Sequence, residues 1–196
     1  MKKQDLLKAL ETVKPGLATK EMIEQSTSFA FTNGRVTTYN DEISLSHPVP
    51  DLQIEGVVQA EELYQLLNRL KKDDVEISTK DNEIRITSGR TKAGLTLQEE
   101  ITLPLEEIGE TGKWKPLPED FLHYVKLAMG ACSRDMSRPV LTCVHVNEKI
   151  VEGSDSFRIM KCELEEEVPA KTFLLPANSA AEVVKLKPVK IADGDG

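Results

Sequence analysis

Apolar positions along the chain change period in a regular way. In residues 60–70, Leu63, Leu66, Leu67 and Leu70 recur at helical spacing, so one face of a helix is apolar. Lys71-Lys72-Asp73-Asp74 ends that pattern. Val75-Glu76-Ile77-Ser78-Thr79 then alternates apolar and polar residues, which predicts a half-buried strand. Lys80-Asp81-Asn82 turns the chain into a second strand over residues 83–87. Near the C-terminus the plan returns: Phe173-Leu174-Leu175-Pro176, a helix over residues 177–186, then Val189-Lys190-Ile191. The stretch over residues 56–87 is thus largely present twice.

Residue matching fixes the spacing of the repeat. Val58 pairs with Leu174, Leu67 with Val183 and Leu70 with Leu186, each 116 apart. Val75 pairs with Val189 at 114. Upstream, Leu7 pairs with Leu122 and Leu10 with Val125 at 115; Asn33 pairs with Asn147, Val36 with Ile150 and Asp41 with Asp155 at 114. Two copies of one domain follow, over residues 1–112 and 113–196. Each copy combines two helices with antiparallel strands, an α+β class in which both helices pack on one sheet.

The first copy opens with a helix over 5–13 that points Leu6, Leu7, Leu10 and Val13 inward, with Lys3, Lys8 and Lys14 off that face. Lys14-Pro15-Gly16 stops it. Residues 28–32 and 35–39 are strands around Asn33-Gly34, a hairpin signal. Residues 42–46 form a third strand, 52–58 lead into the second helix, and 83–88 and 93–97 finish the copy. Residues 101–115 read as a linker with Glu106, Glu107 and Glu110 exposed and Trp114 anchoring the second domain. The second copy starts at Pro118-Glu119-Asp120, with Phe121, Leu122, Val125 and Met129 as its stripe. Strands follow over 140–146, 149–152 and 157–163, and Asn178 or Ser179 caps the last helix. Asp195 and Gly196 match Asp81 and Asn82, so counterparts of residues 83–97 are expected beyond Gly196.

Composition narrows the function classes. The chain has 196 residues, 39% hydrophobic and 30% charged, which suits one large or two small globular domains. No apolar run approaches the length of a membrane span, and Met1-Lys2-Lys3-Gln4-Asp5 lacks the apolar core of a signal peptide. Three cysteines, Cys132, Cys143 and Cys162, suggest reduced thiols and a cytoplasmic location. A net charge of −8 argues against binding nucleic acid over the whole surface, but leaves room for a local basic face.

The search for chemistry yields no enzyme. Cys143 and His145 share one strand face, a conceivable thiol–imidazole pair without an evident orienting group; a buried cysteine beside a rim histidine is the plainer reading. The cysteines lack zinc spacing, so no cofactor or metal is expected. Residues 89–94 hold glycines and a lysine without P-loop order. Asp193-Gly194-Asp195-Gly196 resembles a calcium loop, but its repeat counterpart is a plain turn. Glu163-Leu164-Glu165-Glu166-Glu167 reads as a solvated strand end.

The basic residues repeat. Lys3, Lys8, Lys14, Lys20, Arg69, Lys71 and Lys72 lie on or after the helices of copy one, and Lys126, Arg134, Arg138, Lys185 and Lys187 on or after those of copy two. The outer helix faces are expected to form a shared basic surface, against the plainer reading that these lysines keep the protein soluble.

At this point the chain resembles the bacterial β sliding clamps, the processivity factors of DNA polymerase III. The resemblance covers residues 5–189. It rests on Ser88-Gly89-Arg90-Thr91-Lys92 with Leu95-Thr96-Leu97, on Gly153-Ser154-Asp155-Ser156-Phe157-Arg158-Ile159, and on Phe173-Leu174-Leu175-Pro176. It implies a DNA clamp fold and a ring around duplex DNA, with three domains per chain and two chains head to tail. It further implies a non-enzymatic factor that tethers the replicative polymerase. Lys8, Lys20, Arg69, Lys71, Lys72, Lys126, Arg134, Arg138 and Lys185 are then the DNA-facing candidates.

The resemblance also implies a cleft for short peptides of the polymerase and clamp loader, formed by Val140, Ser154, Ser156, Phe157, Arg158 and Ile159. The family pattern there, Thr-Asp-Gly-His-Arg-Leu, is replaced by Ser-Asp-Ser-Phe-Arg-Ile. It implies a homodimer interface through Leu63, Leu67, Thr91, Ala93 and Leu95, with residues 1–196 alone not closing the ring. From the residues alone, a non-clamp peptide-binding or enzymatic α+β protein stays open.

Overall fold

The computed structural model describes residues 1–105 and 112–194, and the chain divides into two compact units, Met1–Pro104 and Leu105–Gly196. Glu106, Glu107 and Glu110 of the expected linker, and Asp195 and Gly196, lie outside the described residues.

In the first unit, α1 (Lys3–Val13) and α2 (Ala60–Arg69) pack on a four-stranded antiparallel sheet. Its strands are β1 (Ser28–Thr32), β2 (Arg35–Tyr39), β3 (Ser44–Pro48) and β4 (Gly56–Gln59), in the order β3-β2-β1-β4. The β1–β2 hairpin turns at Asn33 and Gly34, both in the left-handed region at φ 50° and 67°, as a two-residue hairpin demands. A second sheet, β5 (Glu76–Lys80), β6 (Glu83–Ser88) and β7 (Thr91–Thr96), turns at Asp81 and Asn82, again with φ positive at both. The core joins Leu6, Leu10 and Val13 of α1, Leu63 and Leu67 of α2, Phe29, Phe31 and Val36 of the first sheet, and Ile84 and Ile86 of the second.

Lys3 departs from the expected outward position. It is 8% exposed, and its ammonium donates to Leu70 O at 2.8 Å. That bond satisfies a carbonyl left without an intrahelical partner where α2 ends, so Lys3 joins the two helices rather than the solvent.

The second unit repeats the first. After β8 (Lys115–Pro116), α3 (Phe121–Met129) and α4 (Ala177–Leu186) pack on β9 (Cys143–Asn147), β10 (Ile150–Ser154), β11 (Ile159–Glu163) and β12 (Phe173–Pro176). The strand order, β11-β10-β9-β12, is that of the first unit. A short strand β13 (Lys190–Ile191) pairs with β8. Strand starts 28, 35 and 44 recur at 143, 150 and 159, an offset of 115, while β4 and α2 recur at 117.

The true register therefore differs by one from residue matching in the hairpins. Val36 corresponds to Val151, both fully buried, and the left-handed Asn33 and Asp41 correspond to the left-handed Glu148 and Ser156. In the helix, Leu67 corresponds to Val184, which packs on the core.

Three local expectations fail. Val140 does not begin a strand: residues Pro139–Thr142 form one 3₁₀ turn, with proline setting its start. The last helix begins on Pro176 without a side-chain cap, and the Ser179 hydroxyl is buried without a partner among the described residues. Trp114 is 54% exposed, so it does not anchor a core.

Candidate functional site

The outer face of the second unit's sheet carries a groove of about 640 Å³. Strand alternation builds it. Val144, Val146 and Val151 point into the core, so Cys143, His145, Glu152 and Ser154 point out. Cross-strand register places Leu174, His145, Glu152 and Lys161 in one row across all four strands. Val140, Leu141, Ile159, Thr172 and Phe173 complete the walls. Val140 (64% exposed), Ile159 (66%) and Leu174 (46%) make the rim apolar.

At the floor, His145 Nδ1 lies 2.9 Å from Glu152 Oε1. Glu152 is the orienting group that Cys143 and His145 lacked in the sequence. It comes from the neighbouring strand, a cross-strand partner that no short motif reveals. The Cys143 thiol points elsewhere, to Pro139 O at 3.5 Å. Burial pushes the Cys132 thiol up from its ordinary pKa. Among the described residues no cluster of His, Cys, Asp or Glu suits a metal ion.

The turn at one end of the groove is held by Asp155. Its carboxylate accepts from the backbone N–H of Phe157 (3.1 Å) and of Arg158 (3.0 Å), and from Arg158 Nε (3.0 Å). These donors, the Phe157 amide first, hold the Asp155 carboxyl below its ordinary pKa. Arg158 Nη2 also donates to Gly130 O after α3 (3.2 Å), and Arg138 Nη1 donates to Ser156 Oγ (3.0 Å). Phe157 is left 98% exposed at the tip.

The cations sit at helix ends more than on helix faces. Within α1, Lys3 and Lys8 are matched by Asp5 and Glu11; within α2, Glu61 and Glu62 outnumber Arg69; within α4, Lys185 pairs with Glu182 at 2.7 Å. Only α3 has an unmatched cation, Lys126. The expected basic helix faces are therefore corrected to near-neutral faces. Lys14, Lys20, Lys71, Lys72, Arg134, Arg138 and Lys187 follow the helices. Lys8, Lys20, Arg69, Lys71, Lys72, Lys126 and Arg134 are exposed and form no ion pair among the described residues.

This architecture is shared with solved structures. The DNA polymerase III beta chain of Streptococcus pneumoniae aligns with a TM-score of 0.81 at 20% identity, over 97% of this chain and 58% of that one. The fold is that of the bacterial sliding clamps. The clamp of Bacillus subtilis aligns at 0.75 and 22% identity, over 95% of this chain and 55% of its own. A clamp of Pseudomonas aeruginosa, solved bound to griselimycin, aligns at 0.77 and 18%, over 100% and 59%. The chain thus spans somewhat over half the length of the clamps it matches. No family model and no curated protein matches the sequence.

Within the clamp fold, the cleft residues expected from sequence fall in one neighbourhood. Val140, Ser154 and Ile159 line the groove, and Ser156, Phe157 and Arg158 form the adjoining turn. Sequence reasoning missed Cys143, His145, Glu152 and Leu174 as groove residues.

Two interface residues need correction. Leu63 and Leu67 are 0% exposed, because α2 turns that stripe onto Phe29, Val58 and Ile84. Core leucines are not available to another chain. Thr91, Ala93 and Leu95 remain on β7, the outermost strand of its sheet, with Leu95 half-buried against the core.

Proposed function

We propose that this chain is part of a sliding clamp that encircles duplex DNA and tethers a replicative DNA polymerase. The observation that carries the reading is the agreement of both repeated units with clamp structures over 97% of the chain. In this reading the mechanism is topological, with no bond made or broken. Lys8, Lys20, Arg69, Lys71, Lys72, Lys126, Arg134, Arg138 and Lys185 face the duplex. Phosphate contacts are independent of sequence, so a ring held by them slides.

The groove with Val140, Ser154 and Ile159 receives peptide segments of the polymerase and the clamp loader. Griselimycin, bound by the Pseudomonas aeruginosa clamp, is a probe of whether this chain takes a clamp ligand. Thr91, Ala93 and Leu95 on the edge strand contribute to a head-to-tail homodimer in the cytoplasm. An edge strand with unpaired backbone groups is suited to pairing with another chain.

The test is retention on DNA. The protein purified from its native source is loaded onto nicked circular duplex with the Streptococcus pneumoniae clamp loader, then separated by gel filtration. Retention on circles and release after one restriction cut are expected. Equal retention on circular and linear DNA would refute topological linkage.

A further inference from the structure

The floor of the groove on β9 and β10 has a chemistry of its own. The rim is apolar, yet the row beneath it holds a carboxylate, Glu152, whose side chain is 28% exposed. Its only ion-pair partner among the described residues is His145, at 2.9 Å. The Ser154 hydroxyl is already donating, to Arg158 O at 2.9 Å. The groove therefore offers acceptors to whatever enters it. Lys161 is the cross-strand neighbour of Glu152, yet it forms no ion pair among the described residues.

We propose that this groove selects an extended partner peptide that places a lysine or arginine on Glu152 and an apolar side chain between Val140 and Ile159. This rests on the groove being a peptide site, as read above. Charge complementarity decides the occupant. An acceptor floor between apolar walls rewards a side chain with an apolar stem and a donor tip, which describes lysine and arginine. An acidic side chain would meet Glu152 as a like charge. The spacing follows from the sheet. Ser154–Ile159 and Glu152–Lys161 are adjacent same-face rows, two residues apart along β10. An extended guest lying along the strands presents its own same-face side chains at the same interval. The basic and apolar residues of the guest are thus expected at i and i+2.

The full chain is screened against a phage-displayed library of random peptides. Enrichment of Lys or Arg two positions from an apolar residue is expected. Against Glu152→Gln the basic preference is lost while the apolar one stays, and affinity for a selected basic peptide falls about tenfold. Against Lys161→Ala the basic preference grows, because a competing cation is removed. Unchanged circular dichroism spectra and melting curves certify both variants as folded. No enrichment, enrichment of acidic residues, or the same base selected by Glu152→Gln would each overturn the proposal. Apolar peptides selected without a base would sink it and leave the clamp reading intact. Basic peptides selected by a chain that never links to circular DNA would sink only the clamp reading.

Discussion

Replacing Gly153 with alanine tests whether the groove's position depends on one backbone contact. Gly153 faces inward on β10, beneath the end of α3. A Cβ there would sit far inside contact distance of the Ala128 carbonyl oxygen, 2.9 Å from Cys132 Sγ and 3.0 Å from the Ala128 carbonyl carbon. Two of these atoms belong to the helix backbone, so no side-chain rotation relieves the clash. Either α3 lifts off the sheet or β10 bends away. Overpacking of this kind costs typically 1–3 kcal/mol, and the helix backbone puts Gly153→Ala toward the upper end. For a unit of under about 100 residues, each kcal/mol lowers the melting temperature by roughly 4–8 °C.

The assay is urea unfolding followed by far-ultraviolet circular dichroism and by fluorescence of Trp114, the single tryptophan, which lies in the second unit. Gly130→Ala is the control. Gly130 has φ −68°, and its nearest approach is 3.3 Å to Leu127 O, so alanine there should cost little. A Gly153→Ala protein within about 0.5 kcal/mol of wild type, in the range of neutral surface substitutions, would refute the close packing of α3 on β10.

Leu63→Ala should cost about 2–5 kcal/mol as a core truncation, with self-association measured by sedimentation unaltered at a temperature where the variant is folded; weakened association without lost stability would restore Leu63 to an interface. The Asp155 carboxyl is depressed in the folded state, so its contribution is present above the unfolded value and lost as pH falls through the folded one. Hydrogen exchange of the Phe157 and Arg158 amides, corrected for intrinsic rates, should accordingly speed up below about pH 4, and Asp155→Asn should remove that dependence. Replacing Lys20 and Arg134 with alanine should shallow the salt dependence of duplex binding by about one unit of slope per lost phosphate contact; an unchanged slope would take both residues off the DNA surface.

Most elements were legible because periodicity and turn chemistry are local. Asn33-Gly34 and Asp81-Asn82 supply left-handed turn residues, and both hairpins form where they stand. The repeat was legible too, but its register slipped. Asn33 was matched to Asn147 by identity, whereas the backbone role passes to Glu148, at φ 53°. The fold repeats a dihedral angle, which an unlikely residue supplies in the second copy. Lys3 misled for a related reason: a lysine at a helix start reads as solvated, unless a helix end distant in sequence presents a free carbonyl. The His145–Glu152 contact needed cross-strand register, and one residue of slip moves every side chain to the other face.

The two copies differ in the row of residues on this face. At the structural offsets, Leu174, His145, Glu152 and Lys161 occupy the places of Val57, Ala30, Thr37 and Ser46. Three of the first unit's four row residues are closed, Val57 at 2%, Ala30 at 0% and Thr37 at 7% exposed, while Ser46 is exposed with its Oγ 3.0 Å from Thr37 Oγ1. Val140 corresponds to Gln25, whose amide holds Glu100 O at 2.8 Å and Thr102 N at 2.9 Å, fastening the chain's own following segment. An exposed valine lacks the hydrogen bonds to do this. The same scaffold thus satisfies its outer face internally in one copy. In the other, among the described residues, Val140 and Ile159 are exposed and Glu152 is held by His145 at 2.9 Å. The two copies thus differ in the outer-face residues on which the proposed peptide site draws.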